Sequence, residues 1–181
     1  MHDIVIIGGG PAGMTAALYA LRAGKSVLML EKNVFGGQIA YSPKVENFPG
    51  TDSMSGSDFA DRLFSQVINL GADFDIAAVT DVEDLGTHKA VRTDDVAVIE
   101  SRSVIIAAGV KHRMLGAPGE VELAGKGICY CAVCDGDFYR GKKVAMIGGG
   151  NTALQEAIFL ADICNHVTVI QNLDFFTGEE R

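Results

Sequence analysis

The sequence predicts an α/β protein built from two units of the same pattern, the second of them incomplete. Residues 4–31 contain an apolar run, a glycine cluster, a helical pattern and a second apolar run, and residues 144–171 repeat that order. Each repeat is typical of two parallel strands joined by a right-handed helical crossover. The glycine clusters follow the patterns GxGxxG and GxGxxA, so we predict two Rossmann-like dinucleotide-binding units.

Composition narrows the class of protein. The 181 residues include 15 Lys and Arg against 23 Asp and Glu, a net charge of −8. Nucleic-acid and anionic-membrane binders need basic patches, so we expect neither kind of partner. No apolar run approaches the ~18 residues of a membrane helix, and the first residues lack the pattern of a signal peptide. We therefore expect a cytoplasmic globular protein.

A helix and several short strands are predicted between the two repeats. Ser55 and Asp58 resemble a capping box, and the apolar spacing that follows predicts a helix ending at Gly71. Four strand-like runs come next, at residues 74–80, 89–92, 96–100 and 103–108. They predict a small β-rich insertion in the first unit.

A connection rich in glycine separates the two repeats. Residues 110–127 contain Pro118 and four glycines, which is typical of a loop and not of a strand or helix. We therefore divide the chain into a first domain of residues 1–112 and a partial second domain of residues 113–181.

The first glycine loop has the full context of a dinucleotide site. Gly8 permits a tight turn, Gly10 lets the backbone approach a pyrophosphate, and Gly13 lets helix and strand pack closely. The helix N-terminus supplies N–H donors to phosphates, and Glu31 at the end of the next strand can accept hydrogen bonds from a ribose. The alternative is a glycine-rich turn without a ligand.

Three of the four cysteines fall within six residues. Cys131 and Cys134 form a CxxC motif, which at a helix N-terminus can close a short disulfide and favour a reactive thiolate. Asp135 follows directly and can exchange protons with the thiols. This clustering indicates redox chemistry or a metal site, because a secreted disulfide framework would spread its cysteines along the chain.

Two other interpretations of the cysteines remain open. A zinc site would use Cys129 with the CxxC pair, and His112 or Cys164 as the fourth ligand. However, structural zinc sites usually contain a second CxxC or a spaced pair of histidines. Alternatively, the cysteines are inert and buried, which is the simplest interpretation of Cys164 in its apolar helical pattern.

With these motifs in hand, the sequence resembles the low-molecular-weight flavoprotein thioredoxin reductases over essentially its whole length. The resemblance rests on GGGPAG at 8–13, GGQ at 36–38, VENFPG at 45–50, the Ala-Ala-Gly segment at 107–109 and CAVCDG at 131–136. It implies that the first domain binds FAD, that the second is an NAD(P)-binding-like domain carrying the CxxC motif, and that the protein is a homodimer.

The same resemblance assigns individual residues. The residues implied to hold FAD are Gly8, Gly10, Pro11, Ala12, Gly13, Glu31, Lys32, Gly36, Gly37, Gln38, Asn47, Val79, Ala108 and Gly109. Cys134 is implied to face the flavin, Cys131 to attack the disulfide of thioredoxin or a thioredoxin-like protein, and Asp135 to act as the acid–base residue. Gln38 and Asn47 have a simpler interpretation as loop-capping side chains.

The second loop departs from the family at its nucleotide grip. Gly148, Gly150 and Ala153 form a second nucleotide loop, but residues 171–173 are Gln-Asn-Leu where NADPH-using members carry a histidine and two arginines. Arginine grips a 2′-phosphate, and 171–180 contains no cation, so we expect NADPH to be a poor donor. This pattern resembles the ferredoxin-dependent flavin thioredoxin reductases.

Length is the second departure. Members of the family continue past the position of Arg181, complete the second domain and return to the first, so we expect the chain to be truncated. The leading prediction is an FAD-dependent disulfide reductase that passes electrons through Cys131 and Cys134 to thioredoxin, with ferredoxin as donor. The alternatives are a conventional NADPH-dependent reductase and a nucleotide-binding module without turnover.

Overall fold

The computed structural model describes residues 1–179, which form two compact units. The first unit spans Met1–Lys111 and the second begins at His112. The domain boundary expected from the sequence lies one residue later, between residues 112 and 113. No helix within residues 1–179 is long and apolar enough to cross a membrane.

The first unit is organised around one six-stranded mixed sheet. Its strands, in chain order, are β1 (His2–Ile7), β2 (Val27–Glu31), β3 (Asp73–Ile76), β4 (Val79–Asp84), β5 (Lys89–Thr93) and β6 (Val98–Ile106). The spatial order is β3-β2-β1-β6-β5-β4, with β3, β2, β1 and β6 parallel and β6, β5 and β4 antiparallel. The sheet is therefore parallel on one side and a meander on the other.

Strand β6 joins these two halves because it changes partner along its length. Its first residues pair with β5 and its last residues with β1, and Ser101 is in register with both His2 and Lys89. Ser101 is fully buried, and its hydroxyl donates to the carbonyl of Ser103 at 3.1 Å. The buried hydroxyl is thus satisfied where the ladder changes from antiparallel to parallel.

Both faces of the parallel strands are covered. Helix α1 (Pro11–Arg22) joins β1 to β2, and helix α2 (Gly56–Asn69) packs against α1. Because strand side chains alternate, Ile6 lies in the core beneath these helices while Val5 lies in a second apolar cluster on the other face. A parallel sheet needs this cover on both faces, which explains the continuous apolar runs in the sequence.

The predicted helix after Ser55 is confirmed. The hydroxyl of Ser55 accepts the backbone N–H of Asp58 at 3.0 Å, so the helix begins at Gly56 with its first turn capped. It ends at Asn69, and Gly71 has a φ of +91°, which leads the chain out of the helix.

Two of the predicted strand boundaries are wrong. The run predicted at 74–80 is two strands, β3 and β4, because the N–H of Ala77 bonds to the carbonyl of Glu31 and Ala78 turns toward the carboxylate of Asp94. Conversely, the runs predicted at 96–100 and 103–108 are the single strand β6. The ladder with β1 includes both Ser101 and Ser103, so the strand continues across the gap between the two predicted runs.

The second unit contains a two-stranded parallel sheet. Strand β7 (Lys143–Ile147) leads through helix α5 (Asn151–Ile163) into strand β8 (His166–Ile170). Two single-turn helices precede them, α3 (Glu120–Leu123) and α4 (Ala132–Asp135). A 3-10 turn at Gly136–Tyr139 connects α4 to β7.

Candidate dinucleotide and disulfide sites

The first glycine loop lies at the carboxyl ends of β1, β2 and β6. The N–H of Gly8 donates to the carbonyl of Leu30 at 2.8 Å, and Gly8 has a φ of +110°. A Cβ atom at Gly8 would lie 2.2 Å from the carbonyl oxygen of Ala107. Only glycine fits there, at the edge of the sheet where open α/β folds bind their ligands.

Helix α1 presents an open N-terminus beside this loop. Its cap residue, Gly10, has no side chain to bond the first-turn N–H groups, Pro11 occupies the first helical position, and the first turn contains no acidic residue. Ala12 is exposed, whereas a Cβ at the buried Gly13 would lie 2.0 Å from the carbonyl oxygen of Gly8. The helix end therefore offers N–H donors and partial positive charge to an anion.

A second pair of glycines, Gly36 and Gly37, packs against the first glycine loop. The N–H of Gly36 donates to the carbonyl of Gly9 at 2.8 Å, and a Cβ at Gly37 would lie 3.0 Å from the Cα of Gly10. The amide nitrogen of Gln38 donates to the carbonyl of Val110. The structure thus brings the predicted GGQ segment against the first loop and against the chain that follows β6.

The remaining predicted FAD residues are less tightly grouped. Ala108 and Gly109 lie two and three residues beyond the end of β6 and are exposed, while Val79 begins β4 and packs against the apolar cluster that contains Val5. Lys32 and Asn47 are both exposed. Asn47 lies in the loop between Val45 and Met54, which pair with each other, and no hydrogen bond within residues 1–179 joins its side chain to the glycine loops.

Glu31 has a structural role that the sequence analysis missed. One carboxylate oxygen accepts the N–H of Gly9 at 2.8 Å, and the other accepts the N–H of Asn33 at 3.1 Å. Glu31, which the motif assigns to a ribose, therefore holds the glycine loop in place through the N–H of Gly9. Both roles, ribose binding and support of the loop, predict an acidic residue at the end of the second strand. The motif therefore does not distinguish one role from the other.

The CxxC motif forms a disulfide in the second unit. Cys131 and Cys134 are bonded, with their Cα atoms 5.3 Å apart. Cys131 is the cap residue of α4, and its sulfur accepts the backbone N–H of Cys134 at 3.2 Å. The N–H of the buried Ala132 donates to a carboxylate oxygen of Glu156 on α5 at 3.2 Å. Cys134 is exposed, and Cys131 is half-buried.

The groups around the disulfide differ in proton affinity. Burial raises the pKa of the Asp135 carboxyl above its usual range, so this group keeps its proton to a higher pH than an exposed aspartate. Burial, and then the charge of Asp135, raise the pKa of the Cys129 thiol. The thiolate form of Cys129 is therefore disfavoured. Cys164 donates its S–H to the carbonyl of Tyr139 at 3.3 Å.

The cysteines do not form a metal cluster with their neighbours in the part of the chain that is described. Within residues 1–179, no group of three or more His, Cys, Asp and Glu side chains is arranged to hold a metal ion. His112, considered above as a fourth zinc ligand, stacks on Tyr130 with ring centroids 3.5 Å apart.

The second glycine loop has the same backbone form as the first. Gly148 has a φ of +131°, its N–H donates to the carbonyl of Ile170 at 2.8 Å, and Gly150 caps α5 without a side chain. A Cβ at Gly148 would lie 3.1 Å from the Cβ of Ala153. Residues 148–153, predicted to be a second nucleotide loop, therefore share the backbone turn of the first loop.

The segment after β8 folds back onto this loop, which the sequence analysis did not anticipate. The N–H of Thr177 donates to the carbonyl of Gly149 at 2.8 Å, and the N–H of Glu179 donates to the side-chain oxygen of Asn151 at 2.6 Å. The amide nitrogen of Gln171 donates to the carbonyl of Phe175. No cation lies within residues 171–179. Glu180 and Arg181, which the sequence analysis also considered, lie outside the described residues.

A scan against family models matches residues 2–180 to the pyridine nucleotide-disulphide oxidoreductases. The chain belongs to this family. It is 41% identical to the thioredoxin reductase of Bacillus subtilis over 96% of this chain and 55% of that protein. It is 44% identical to the thioredoxin reductase of Helicobacter pylori over 97% of this chain and 57% of that protein. The chain thus spans little more than half the length of these relatives.

Solved structures agree with this membership. The thioredoxin reductase of Streptococcus pyogenes aligns over 99% of this chain and 58% of its own, with a TM-score of 0.91 and 41% identity. The thioredoxin reductase of Giardia duodenalis aligns over 98% of this chain and 58% of its own, with a TM-score of 0.93 and 31% identity. An atypical thioredoxin reductase from Desulfovibrio vulgaris aligns over 99% of this chain and 60% of its own, with a TM-score of 0.56 and 28% identity.

Proposed function

We propose that this chain is the FAD-binding and disulfide-bearing part of a flavoprotein disulfide reductase that acts on thioredoxin or a thioredoxin-like protein. The observation that carries the proposal is the Cys131–Cys134 disulfide at the start of α4, followed by the carboxyl of Asp135, whose pKa burial raises. A module that only bound nucleotides would have no use for a disulfide beside an acid. The thioredoxin reductases among its relatives support the same substrate class.

The first glycine loop fits an FAD diphosphate. Cβ atoms at Gly8 and Gly13 would collide with backbone, and Gly10 and Gly37 approach each other without side chains. The uncapped N-terminus of α1 aims N–H donors at the same space. Bound FAD would supply an electron pair for disulfide reduction. The chain's own contribution is the glycine surface, the helix end and the carboxylate of Glu31 that holds the loop.

The CxxC turn is built to exchange a disulfide with a protein substrate. Reduction of the Cys131–Cys134 bond takes two electrons and two protons, and the adjacent Asp135, whose pKa burial raises, would donate one of those protons. The Cys131 thiolate then attacks the substrate disulfide and forms a mixed disulfide. The Cys134 thiolate attacks Cys131 in turn, which restores the internal disulfide and releases the substrate as a dithiol. The N–H of Cys134 that bonds to Cys131 would stabilise the attacking thiolate.

For the electron donor we favour an iron–sulfur protein such as ferredoxin over NADPH. The second loop has the backbone of a nucleotide site, but the segment 171–179 offers a neutral Gln171 and the acids Asp174 and Glu179. A 2′-phosphate needs a cation at this place, and an unphosphorylated ribose needs an acid at the end of the second strand. Residues 171–179 contain no cation, and position 171, directly after β8, is a glutamine and not an acid. The homodimer implied by the family resemblance remains part of the proposal.

The test replaces the cysteines one at a time. We expect Cys131→Ser and Cys134→Ser to abolish reduction of thioredoxin in single-turnover mixing with the pre-reduced flavoprotein, while the visible flavin spectrum is retained. Cys129→Ser and Cys164→Ser are the matched controls and should keep at least most of the activity, because neither sulfur lies in the disulfide. Thioredoxin reduction by both CxxC variants would refute the mechanism.

A further inference from the structure

Glu156 connects the helix of the second glycine loop to the disulfide. It lies in the second turn of α5, and one of its carboxylate oxygens accepts the N–H of Ala132 at 3.2 Å. Ala132 directly follows Cys131, begins α4 and is only 2% exposed. A carboxylate from one helix is therefore bonded to the peptide group next to the sulfur that carries the exchange chemistry.

This hydrogen bond removes a donor from the surroundings of Cys131. The first N–H groups of a helix have no partner within the helix, and they stabilise a thiolate when they point at it. The N–H of Cys134 does bond to the Cys131 sulfur, at 3.2 Å. The N–H of Ala132 is instead committed to Glu156, so it is not available to a negative charge on that sulfur.

The charge of Glu156 acts in the same direction. A carboxylate close to a thiol opposes formation of the thiolate, because two negative charges repel. The neighbouring Cys129 shows the same repulsion. Burial is the main cause of the raised pKa of the Cys129 thiol, and the negative charges of Asp135 and Glu156 raise this pKa further. Packing holds the arrangement in place, since a Cβ at Gly136 would lie 3.0 Å from Phe159 of α5.

We propose that Glu156 is a positioning residue that fixes the peptide after Cys131 and makes the Cys131–Cys134 dithiol a stronger reductant. The proposal rests on the proposed function in taking this pair as the redox-active one. Two electrons and two protons convert the disulfide into two thiols, and loss of a proton from Cys131 then gives the thiolate. By opposing the thiolate, Glu156 destabilises the reduced pair and shifts the equilibrium toward the disulfide.

The test compares Glu156→Gln with Gln155→Ala, a matched control at the adjacent exposed position of α5. All variants carry Cys129→Ser and Cys164→Ser, so that only the CxxC pair reacts. The pH dependence of alkylation of the reduced protein by iodoacetamide reports the thiolate. We expect Glu156→Gln to move this profile about one pH unit lower, which is about a tenfold gain in thiolate. The control should keep the original profile.

Equilibration with glutathione redox buffers gives the second readout. The disulfide–dithiol ratio of Glu156→Gln should shift about threefold to tenfold toward the dithiol at a pH above the thiol pKa. A folded Glu156→Gln protein with the original alkylation profile and the original ratio would overturn the proposal. Circular dichroism establishes folding. If Glu156→Gln does not fold, Glu156→Ala is measured, and an unshifted profile there overturns the proposal equally.

These measurements are independent of FAD and thioredoxin. A shifted thiol profile in a protein that fails to reduce thioredoxin would refute the proposed function and leave the role of Glu156 standing. Normal thioredoxin reduction with an unshifted profile would do the reverse.

Discussion

The two glycine loops share a backbone and differ in the side chain that supports it. The N–H of Gly8 donates to the carbonyl of Leu30, and the N–H of Gly148 donates to the carbonyl of Ile170, both at 2.8 Å. A glycine is the N-cap residue of the following helix in both units. In the first unit the carboxylate of Glu31 then bonds to the loop, whereas in the second Gln171 is turned to the carbonyl of Phe175. The two loops therefore share their backbone geometry and differ in charge at the position directly after or at the end of the second strand, where Glu31 is acidic and Gln171 is neutral.

The two units are also alike in the segment that follows their second strand, which lies outside the repeats at residues 4–31 and 144–171. Gly36 donates its N–H to Gly9 at 2.8 Å, and Thr177 donates its N–H to Gly149 at the same distance. In both units, the segment after the second strand therefore returns to the middle glycine of the loop. Closure of the loop by this segment is therefore common to both units, although the side chains of the two segments differ.

The largest expected effect comes from closing the space between helix and strand. A Cβ at Gly13 would lie 2.0 Å from a backbone oxygen, so Gly13→Ala should destabilise the first unit by about 3 kcal/mol or more, measured by urea unfolding. The second loop already carries alanine at the matching position. Ala153→Gly should therefore cost only about 0.5–1 kcal/mol. Equal losses of stability in the two variants would contradict the tighter packing at Gly13.

The next effect separates ligand binding from folding. Gly10 and Gly150 both cap a helix with φ near −85° and both have room for a Cβ, whose nearest atom would lie 3.7 Å away. We expect Gly10→Ala to weaken FAD binding at least about tenfold with little change in Tm, because the new methyl occupies the approach of the diphosphate. Gly150→Ala should leave flavin content unchanged. Normal FAD affinity in Gly10→Ala would place the cofactor elsewhere.

A smaller effect comes from making the first loop resemble the second. Glu31→Gln removes a charged acceptor from two N–H groups and should cost about 1–3 kcal/mol, seen both in unfolding and in about tenfold weaker FAD retention. Gln171→Glu is the reciprocal change in the second unit and should not alter flavin content. Unchanged FAD retention in Glu31→Gln would show that the charge at this position is not needed for the cofactor.

The smallest effect concerns the connection that opens the second unit. Backbone N–H groups of Leu115 and Gly116, together with Tyr130, hold the pKa of the Glu120 carboxyl below its usual range. This contribution to stability is complete above the unfolded pKa of 4.5 and is lost as the pH falls through the lower folded value. We therefore expect the 112–130 segment to lose protection from hydrogen exchange in acid.

Glu120→Gln supplies the control for that prediction. It should lower protection of the same segment at neutral pH, since an amide cannot accept all of these N–H groups, and it should remove most of the acid dependence. Exchange rates are compared after correction for their intrinsic pH dependence. A wild-type acid profile in the variant would assign the effect to another carboxyl group.

Much of this arrangement could be predicted from the sequence because it depends on short-range constraints. The glycine spacing, the Ser55 cap and the CxxC turn each act within a few residues, and the structure has the helix and the disulfide where those signals occur. The strand limits were less predictable. Whether Ser101 ends a strand or continues it depends on partners that are distant in the chain.

The contacts that support the sites could not be predicted for the same reason. Glu31 and Gly9 are 22 residues apart, and Ala132 and Glu156 are 24 apart. Nothing in the local pattern distinguishes Glu156 from the exposed Gln155 beside it. Long-range hydrogen bonds of this kind follow from how α5 packs on the disulfide turn, which only the structure shows.

The most direct test of the account is the visible spectrum of the purified protein during anaerobic titration, first with NADPH and then with reduced ferredoxin. The difference between the two loops predicts that a flavin band is present, persists in NADPH and bleaches with ferredoxin. Bleaching by stoichiometric NADPH would contradict the account, because the second loop would then bind the phosphorylated nucleotide without a cation at residues 171–179.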